Sequence, residues 1–356
     1  MRDVLGEIDG WLADGRKVAL ATVVSTWGSA PRRAGSHLAV ASDGRMAGSV
    51  SGGCVEAAVV EEAQRVLASG RPKLLRFGVA DETAWAVGLS CGGAIEVFVE
   101  ALDPERHRGL REALLAGRPL AVATVVSGPE GLLGKAVVVG AEGAPRGDLG
   151  PLTDAAVSAA REALAAGRSE RRSLGEAELF LEALLPPPRL VMVGGVHIAV
   201  ALTSLARALG YATLVVDPRP AFGSTERFPH ADRVVSAWPD EFLAGLPLDA
   251  STAVAVLTHD PKLDDPALRV ALPSPAFYVG ALGSKATQAR RRARLLAAGL
   301  TEAQVERLHA PIGLDLGGRG PEEIALSVMA QIVAVRNAAI TASPRLPAAP
   351  LRPPAR

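Results

Sequence analysis

The apolar and polar positions in the first half of the chain predict strands grouped around long helices. Runs rich in β-branched residues, such as 18–24 and 95–99, are typical of strands. The alanine-rich stretch over about 55–68 is typical of an amphipathic helix. The order is strand, strand, helix, strand, strand, which predicts a domain of the α+β class.

This pattern occurs twice. Residues 15–25 return as 117–127, and both segments end in Ala-Thr-Val-Val-Ser. Two copies are too few for a solenoid, whose units bury their faces by stacking. The repeat therefore predicts a duplicated N-terminal domain over 1–185, with copies at about 1–102 and 103–185.

A run of three prolines, 186–188, forms a stiff connector to the second half. Behind it, the apolar run 189–193 leads through a glycine turn and a helix to a second run, 213–216, which ends on Asp217. These elements open a dinucleotide-binding fold, and Asp217 has the spacing of a ribose-binding acid. The pattern predicts a Rossmann-like, doubly wound parallel sheet over 189–340.

The glycine fingerprint of this unit is incomplete. The second glycine, which lets pyrophosphate approach the backbone, is replaced by Val196. Its branched side chain is expected in the path of the phosphates, so NAD is not expected to bind. The proline-rich segment 341–356 is predicted to be a flexible tail.

Further parallel strands are predicted at 252–257, 277–279 and about 311–312. Ligands of open α/β sheets bind at the carboxyl ends of strands, so the residues that follow each strand are candidates. Here they are His259 and the loop Gly283-Ser284-Lys285. This loop precedes a helix with four arginines, a combination suited to phosphate. A solvated basic helix face and a strand-end histidine in an ordinary polar contact are the alternatives.

Both cysteines of the chain lie beside pairs of glycines. Cys54 follows Gly52-Gly53, and Cys91 precedes Gly92-Gly93. Glycine neighbours let a ligand approach both sulfur and backbone. The alternative is two buried, unreactive thiols. The second copy contains no cysteine, which favours a functional role over a folding role for these turns.

The position of Cys54 just before the predicted helix favours a thiolate and an anion site, because the helix N-terminus is positive. Arg32 and Arg33 are predicted in the loop after the first strand, where they could add positive charge to the same site. Solvated loop arginines are the alternative.

Charge and composition narrow the function classes. The chain of 356 residues has 38 basic and 38 acidic side chains, so no global field attracts nucleic acid or an anionic membrane. Its apolar runs are too short to span a bilayer, and its start lacks a signal-peptide core. Two cysteines without a disulfide framework suit a reducing compartment. A soluble, cytoplasmic protein is expected.

Several ordered motifs resemble the XdhC/CoxI family, the accessory proteins of xanthine dehydrogenase and related molybdenum hydroxylases. The motifs lie at 48–56, 91–97, 258–260, 280–285 and 311–317. The resemblance covers nearly the whole chain. One departure is Val196, where family members commonly have glycine.

The resemblance implies a chaperone and not an enzyme. Such proteins bind the molybdenum cofactor, protect it while a cysteine desulfurase installs its sulfido ligand, and deliver it to the apo-hydroxylase. The cargo is expected as molybdopterin or its cytosine dinucleotide form, carried by a homodimer, with Cys54 as the metal ligand because a soft thiolate suits molybdenum. The cofactor-binding residues expected from pattern and resemblance together are Cys54, Gly52, Gly53, Cys91, Gly92, Arg32, Gly283, Ser284, Lys285, His259 and Asp217.

Two other function classes stay open at the level of the sequence. One is a nicotinamide-dependent oxidoreductase built on 189–338, against which Val196 and the lack of a hydride-transfer site both stand. The other is a thiol-redox protein that uses Cys54 and Cys91 as a pair.

Overall fold

The computed structural model describes residues 1–28, 32–78 and 93–341. The chain divides into two compact units, Met1–Pro186 and a second that begins at Pro187. Cys91, Gly92 and residues 342–356 of the predicted flexible tail lie outside the described residues. Each unit is described by itself below.

The first copy of the duplicated unit is an antiparallel sheet with one long helix. Its strands are β1 (Val18–Trp27), β2 (His37–Ala41), β3 (Met46–Gly48), β4 (Lys73–Phe77) and β5 (Ala94–Ala101). In the part of this copy that the structure describes, the strand order is β3-β2-β1-β5-β4. Helix α1 (Leu5–Ala13) precedes the sheet, and α2 (Glu56–Ser69) connects β3 to β4.

The second copy repeats this arrangement. Its elements are α3 (Pro104–Leu115), β6 (Leu120–Ser127), β7 (Ala136–Gly140), α4 (Thr153–Ala166), β8 (Glu170–Leu174) and β9 (Ala177–Leu184). The order β7-β6-β9-β8 matches β2-β1-β5-β4. Even an irregularity recurs, since the register shifts between Val23 and Ser25 in one copy and between Val125 and Ser127 in the other. The predicted duplicated α+β fold is confirmed, and β3 is reduced in copy two to a single antiparallel bridge between Val138 and Arg146.

The alternation of side chains along β1 explains how the copies pack. Ala19, Ala21 and Val23 point to one face and join a buried cluster with α2. Val18 and Leu20 point to the other face and join a cluster with Leu120, Val122 and other residues of both copies. The two sheets therefore pack face to face, each with its own long helix on the opposite side.

The second unit is a parallel sheet covered by helices on both faces. Its strands are β10 (Arg189–Val193), β11 (Ala212–Val216), β12 (Arg233–Val235), β13 (Thr252–Val256), β14 (Tyr278–Ala281) and β15 (Leu308–His309). Its helices are α5 (His197–Ala208), α6 (Pro239–Ala244), α7 (Pro261–Ala271), α8 (Lys285–Ala297), α9 (Glu302–Glu306) and α10 (Pro321–Thr341). Among the described residues the strand order is β12-β11-β10-β13-β14-β15, which confirms the predicted doubly wound fold.

One strand lies elsewhere than predicted. The expected strand at about 311–312 is wrong, because Leu308 and His309 pair with Val279 and Gly280 instead. Pro311 has no N–H to donate to a ladder, so it interrupts the pairing, although the N–H of Ile312 still donates to the carbonyl oxygen of Ala281 at 3.0 Å.

Alternation along β10 divides the core of this unit into two clusters. Val191 and Val193 pack with α7 and α8 on one face, whereas Leu190 and Met192 pack with α5 and α10 on the other. Burial on both faces explains why the strand is a continuous apolar run. Within the described residues, the helices are all too short or too polar to cross a membrane.

Candidate functional site

Cys54 lies in an open glycine loop between β3 and α2. Its side chain is half-buried and packs against the core cluster that β1, β5 and α2 form. Gly52 and Gly53 precede it with φ of 80° and 121°, in the region that favours glycine, and both residues are exposed. A Cβ added at Gly53 would meet no atom within 4 Å. The loop thus offers a bare backbone surface beside a thiol.

The donors of this loop converge on one side chain, the carboxylate of Glu56, the first residue of α2. Its two oxygens accept the hydroxyls of Ser49 and Ser51 and five backbone N–H groups, those of Val50 (3.2 Å), Ser51 (2.8 Å), Gly52 (3.1 Å), Gly53 (2.9 Å) and Val55 (3.3 Å). Sequence reasoning placed Glu56 in a motif but gave it no role. The signal for it is an acid at a helix start directly behind a run of glycine and serine, where N–H groups lack partners.

The environment keeps Glu56 ionised. Burial would raise the pKa of this carboxyl, but the hydrogen bonds from Ser51, Ser49 and the loop backbone lower it to about 2. The predicted anion site depends on the N–H groups before α2. These groups are already bonded to the Glu56 carboxylate. An external phosphate at this helix N-terminus would have to displace Glu56.

Arg32 reaches the same loop. Its Nε donates to the carbonyl oxygen of Ser49 at 3.1 Å, and its Nη2 lies 3.9 Å from a carboxylate oxygen of Asp3. The guanidinium is partly exposed, so its positive charge borders the loop without being buried in it. Arg33 is exposed. The structure thus brings together Cys54, Gly52, Gly53 and Arg32.

The second copy provides a comparison for the Cys54 loop. Helices α2 and α4 both have 14 residues, and both end at a left-handed glycine, Gly70 or Gly167. In that alignment Cys54 corresponds to Pro151 and Glu56 to Thr153. The Thr153 hydroxyl oxygen accepts the N–H of Leu149 at 2.9 Å, so this turn is also held by the first helical residue. In copy two this segment forms a short 3-10 turn, Gly150–Leu152, without a thiol, so the duplicated fold does not require Cys54.

At the carboxyl edge of the Rossmann unit, the predicted ribose acid is bonded within the protein. Asp217 is fully buried and accepts the N–H of Gly195 at 2.8 Å. Arg219 donates to the same carboxylate from its backbone N at 2.9 Å and from Nη2 at 2.7 Å. Burial would raise the pKa of Asp217, but these hydrogen bonds lower it below its usual range.

The glycine turn itself is covered by the chain. A Cβ at Gly195 would lie 1.9 Å from the carbonyl oxygen of Phe222, because the loop after β11 packs on the turn. The Arg219 guanidinium stacks 4.0 Å from the centroid of the Phe222 ring. Val196, which the sequence analysis expects in the path of the phosphates, packs against the apolar cluster on the α5 face.

The neighbouring strand ends carry the other candidates of this unit. His259 follows β13; it is exposed and has a φ of 69°, a conformation uncommon for residues other than glycine. Gly283 follows β14 with a φ of 139°, and Ser284 accepts the N–H of Thr287 at 3.2 Å as the cap of α8. Lys285 begins α8 and is exposed. The side chains of His259 and Lys285 are thus exposed to solvent, whereas the Ser284 hydroxyl caps its own helix.

Three of the four arginines of α8 are paired with acids of the protein, whereas the fourth, Arg290, is exposed. Arg291 is 1% exposed, and its Nη2 lies 2.6 Å from the equally buried Asp264. It also donates to the carbonyl oxygen of Leu282 at 3.1 Å, and Thr258 donates to the same Asp264. Arg292 and Arg294 pair with Glu302 and Asp265. Arg291 therefore joins the loops after β13 and β14, a structural role that sequence reasoning missed.

The motifs and the two-unit architecture agree with the matches to known families. Residues 11–78 match the XdhC and CoxI family, and residues 190–332 match the XdhC Rossmann domain. The chain belongs to the XdhC and CoxI family. This confirms the resemblance drawn from the motifs, and the first of these matches contains the Cys54 loop.

Three similar proteins come from bacteria. A Bacillus subtilis protein, named as a probable component of xanthine dehydrogenase, is 29% identical over 93% of this chain and 96% of its own length. The molybdenum cofactor insertion chaperone PaoD of Escherichia coli is 29% identical over 91% of this chain and 85% of its own. A crystal structure described as a xanthine dehydrogenase from Bacillus halodurans superposes with a TM-score of 0.76 at 25% identity, covering 97% and 98% of the two chains. The name of PaoD agrees with the predicted accessory role.

Proposed function

We propose that this protein is an insertion chaperone for the molybdenum cofactor of a molybdenum hydroxylase. The observation that carries the proposal is the Cys54 loop, a half-buried thiol beside two exposed glycines, whose counterpart in copy two is a 3-10 turn without a thiol. The name of the PaoD relative supports the same function.

The chemistry of the loop suits this cargo. The cofactor brings sulfur and oxygen ligands of its own to the metal, so the protein needs to add one soft donor, which the Cys54 sulfur supplies. The exposed backbone at Gly52 and Gly53 has no side chain to keep a flat pterin at a distance. Arg32 at the rim adds a positive charge for the phosphate of the cargo.

The finer features of the function are part of the proposal. The protein holds the cofactor while a cysteine desulfurase installs the sulfido ligand, and then passes it to the apo-hydroxylase. The cargo is molybdopterin or its cytosine dinucleotide form. The carrier acts as a homodimer in the cytoplasm, and Gly283, Lys285 and His259 contribute to cargo binding together with Cys91 and Gly92.

Transfer of the cargo tests this function. The purified protein is mixed with molybdenum cofactor in reducing, oxygen-free buffer, separated from free cofactor by gel filtration, and added to an apo-hydroxylase. The protein fraction should retain the pterin and should activate the hydroxylase. Turnover of NAD(H) with simple alcohols or hydroxy acids at rates typical of enzymes, about 1–1000 per second, would instead support an oxidoreductase.

A further inference from the structure

The seven hydrogen bonds that the Glu56 carboxylate accepts are divided four and three between its two oxygens. One carboxylate oxygen accepts the N–H groups of Val50, Ser51 and Gly52 together with the Ser49 hydroxyl. The other accepts the N–H groups of Gly53 and Val55 together with the Ser51 hydroxyl. A single carboxylate therefore joins the segment before Gly52 to the segment that contains Cys54.

Apart from Glu56, the loop is held by the hydroxyls of its two serines, by Arg32 and by the buried side chains of Val50 and Val55. Gly52 and Gly53 are exposed, and a glycine pair loses more conformational entropy on ordering than other residues do. A Cβ at Gly53 would meet no neighbouring atom, so no packing restrains that position. The N–H of Cys54 itself bonds to the Ser51 hydroxyl, which in turn donates to Glu56. The backbone at Cys54 is thus restrained through a partner of Glu56.

We propose that Glu56 is a positioning residue, whose carboxylate fixes the glycine loop so that the Cys54 thiol and the Gly52-Gly53 backbone present one preformed surface to the cofactor. The inference rests on the proposed function. It has a consequence for the cargo. Because the backbone amides before α2 are bonded to Glu56, the phosphate of the cofactor is bound by other groups and not by these amides.

The length of the Glu56 side chain and its charge both matter to this role. Glu56 begins α2, and its side chain turns back over the preceding loop to reach donors from Ser49 to Val55. Glutamine keeps the length but replaces one acceptor oxygen with a donor, so it can serve one half of the loop and not both. Alanine leaves a space that matches acetate, because acetate contains the atoms that the substitution removes beyond Cβ.

The test compares Glu56→Gln and Glu56→Ala with the parent, and uses Thr153→Ala in copy two as the matched control. Cofactor retained after gel filtration and amide hydrogen exchange at Gly52 and Gly53 are measured for each protein, with thermal midpoints to exclude unfolded variants. Retention by Glu56→Ala is measured again with increasing acetate, with chloride at equal ionic strength as the control.

We expect Glu56→Gln and Glu56→Ala to retain at least about tenfold less cofactor, the equivalent of one lost charge-assisted hydrogen bond. Amide exchange at Gly52 and Gly53 should accelerate in both variants, and acetate but not chloride should restore retention by Glu56→Ala. Thr153→Ala should behave as the parent.

The outcomes distinguish a failure of this inference from a failure of the proposed carrier function. If the parent retains the cofactor and a folded Glu56→Gln and Glu56→Ala retain it equally well, the positioning role is wrong and the carrier function stands. If acetate fails to rescue Glu56→Ala, the carboxylate is not what the loop requires and the inference also falls. If the parent itself retains no cofactor, the carrier function is wrong, and the inference that rests on it is wrong as well.

Discussion

The carboxylate of Asp217 accepts the backbone N–H of Gly195 at 2.8 Å, and this bond joins the end of β11 to the glycine turn after β10. In a dinucleotide-binding fold the acid at this place binds the ribose, and the turn approaches the pyrophosphate. Here Arg219 occupies the remaining acceptor positions of Asp217, and the Phe222 carbonyl packs on Gly195. The acid that would bind the ribose and the turn that would approach the pyrophosphate are therefore already in contact with each other or with neighbouring residues.

NAD and NADP should consequently bind no more tightly than the millimolar range, on the order of 4 kcal/mol, in a calorimetric titration. Val196→Gly should not improve this affinity, because the Asp217 contacts and the Phe222 carbonyl remain. Micromolar binding by the parent would contradict the account. A large gain in Val196→Gly would show instead that the valine side chain is the obstacle.

Arg291→Met should lower the free energy of unfolding by about 3–5 kcal/mol, because it leaves the buried carboxylate of Asp264 without its partner. Arg292→Met on the same helix is the matched control, since its pair with Glu302 is exposed and should contribute about 0–1 kcal/mol. Urea denaturation measures both values. Equal losses in the two variants would mean that the Arg291 pair has no special role in joining the loops after β13 and β14.

Lys285→Glu should weaken cofactor retention by about tenfold, because it places a negative charge at an exposed helix start proposed to face the phosphate. Its thermal midpoint should stay close to that of the parent, since the side chain is exposed. Arg269→Glu makes the same charge change in the last turn of α7 and should retain the cofactor normally. If both variants lose cofactor equally, the effect comes from net charge and not from this loop.

The sequence alone predicted the architecture because the architecture depends on local patterns. The segments 15–25 and 117–127 repeat, and both became central strands with a register shift at the same place. The run 189–193 is apolar throughout, as a strand buried on both faces must be. Such patterns report burial and periodicity, which determine where elements form and how they stack.

What the sequence did not reveal is the direction in which polar side chains point. Arg291 belongs to a cluster of arginines that suits a phosphate site, yet it is buried against Asp264. Its spacing of four residues from the buried Leu295 was the available signal, because positions i and i+4 share a helix face. Glu56 lay inside the quoted motif, but its contacts with a preceding glycine loop depend on the folded backbone.

The central claim is that the Cys54 loop carries the molybdenum cofactor, and metal and pterin analysis of the purified protein tests it most directly. The parent, Cys54→Ser and Cys91→Ser are produced in a host supplied with molybdate and purified without oxygen, and molybdenum and pterin are measured per protein chain. The parent should contain both in equal amounts, Cys54→Ser should lose most of each, and Cys91→Ser should lose less. Cofactor content in Cys54→Ser equal to that of the parent would contradict the claim.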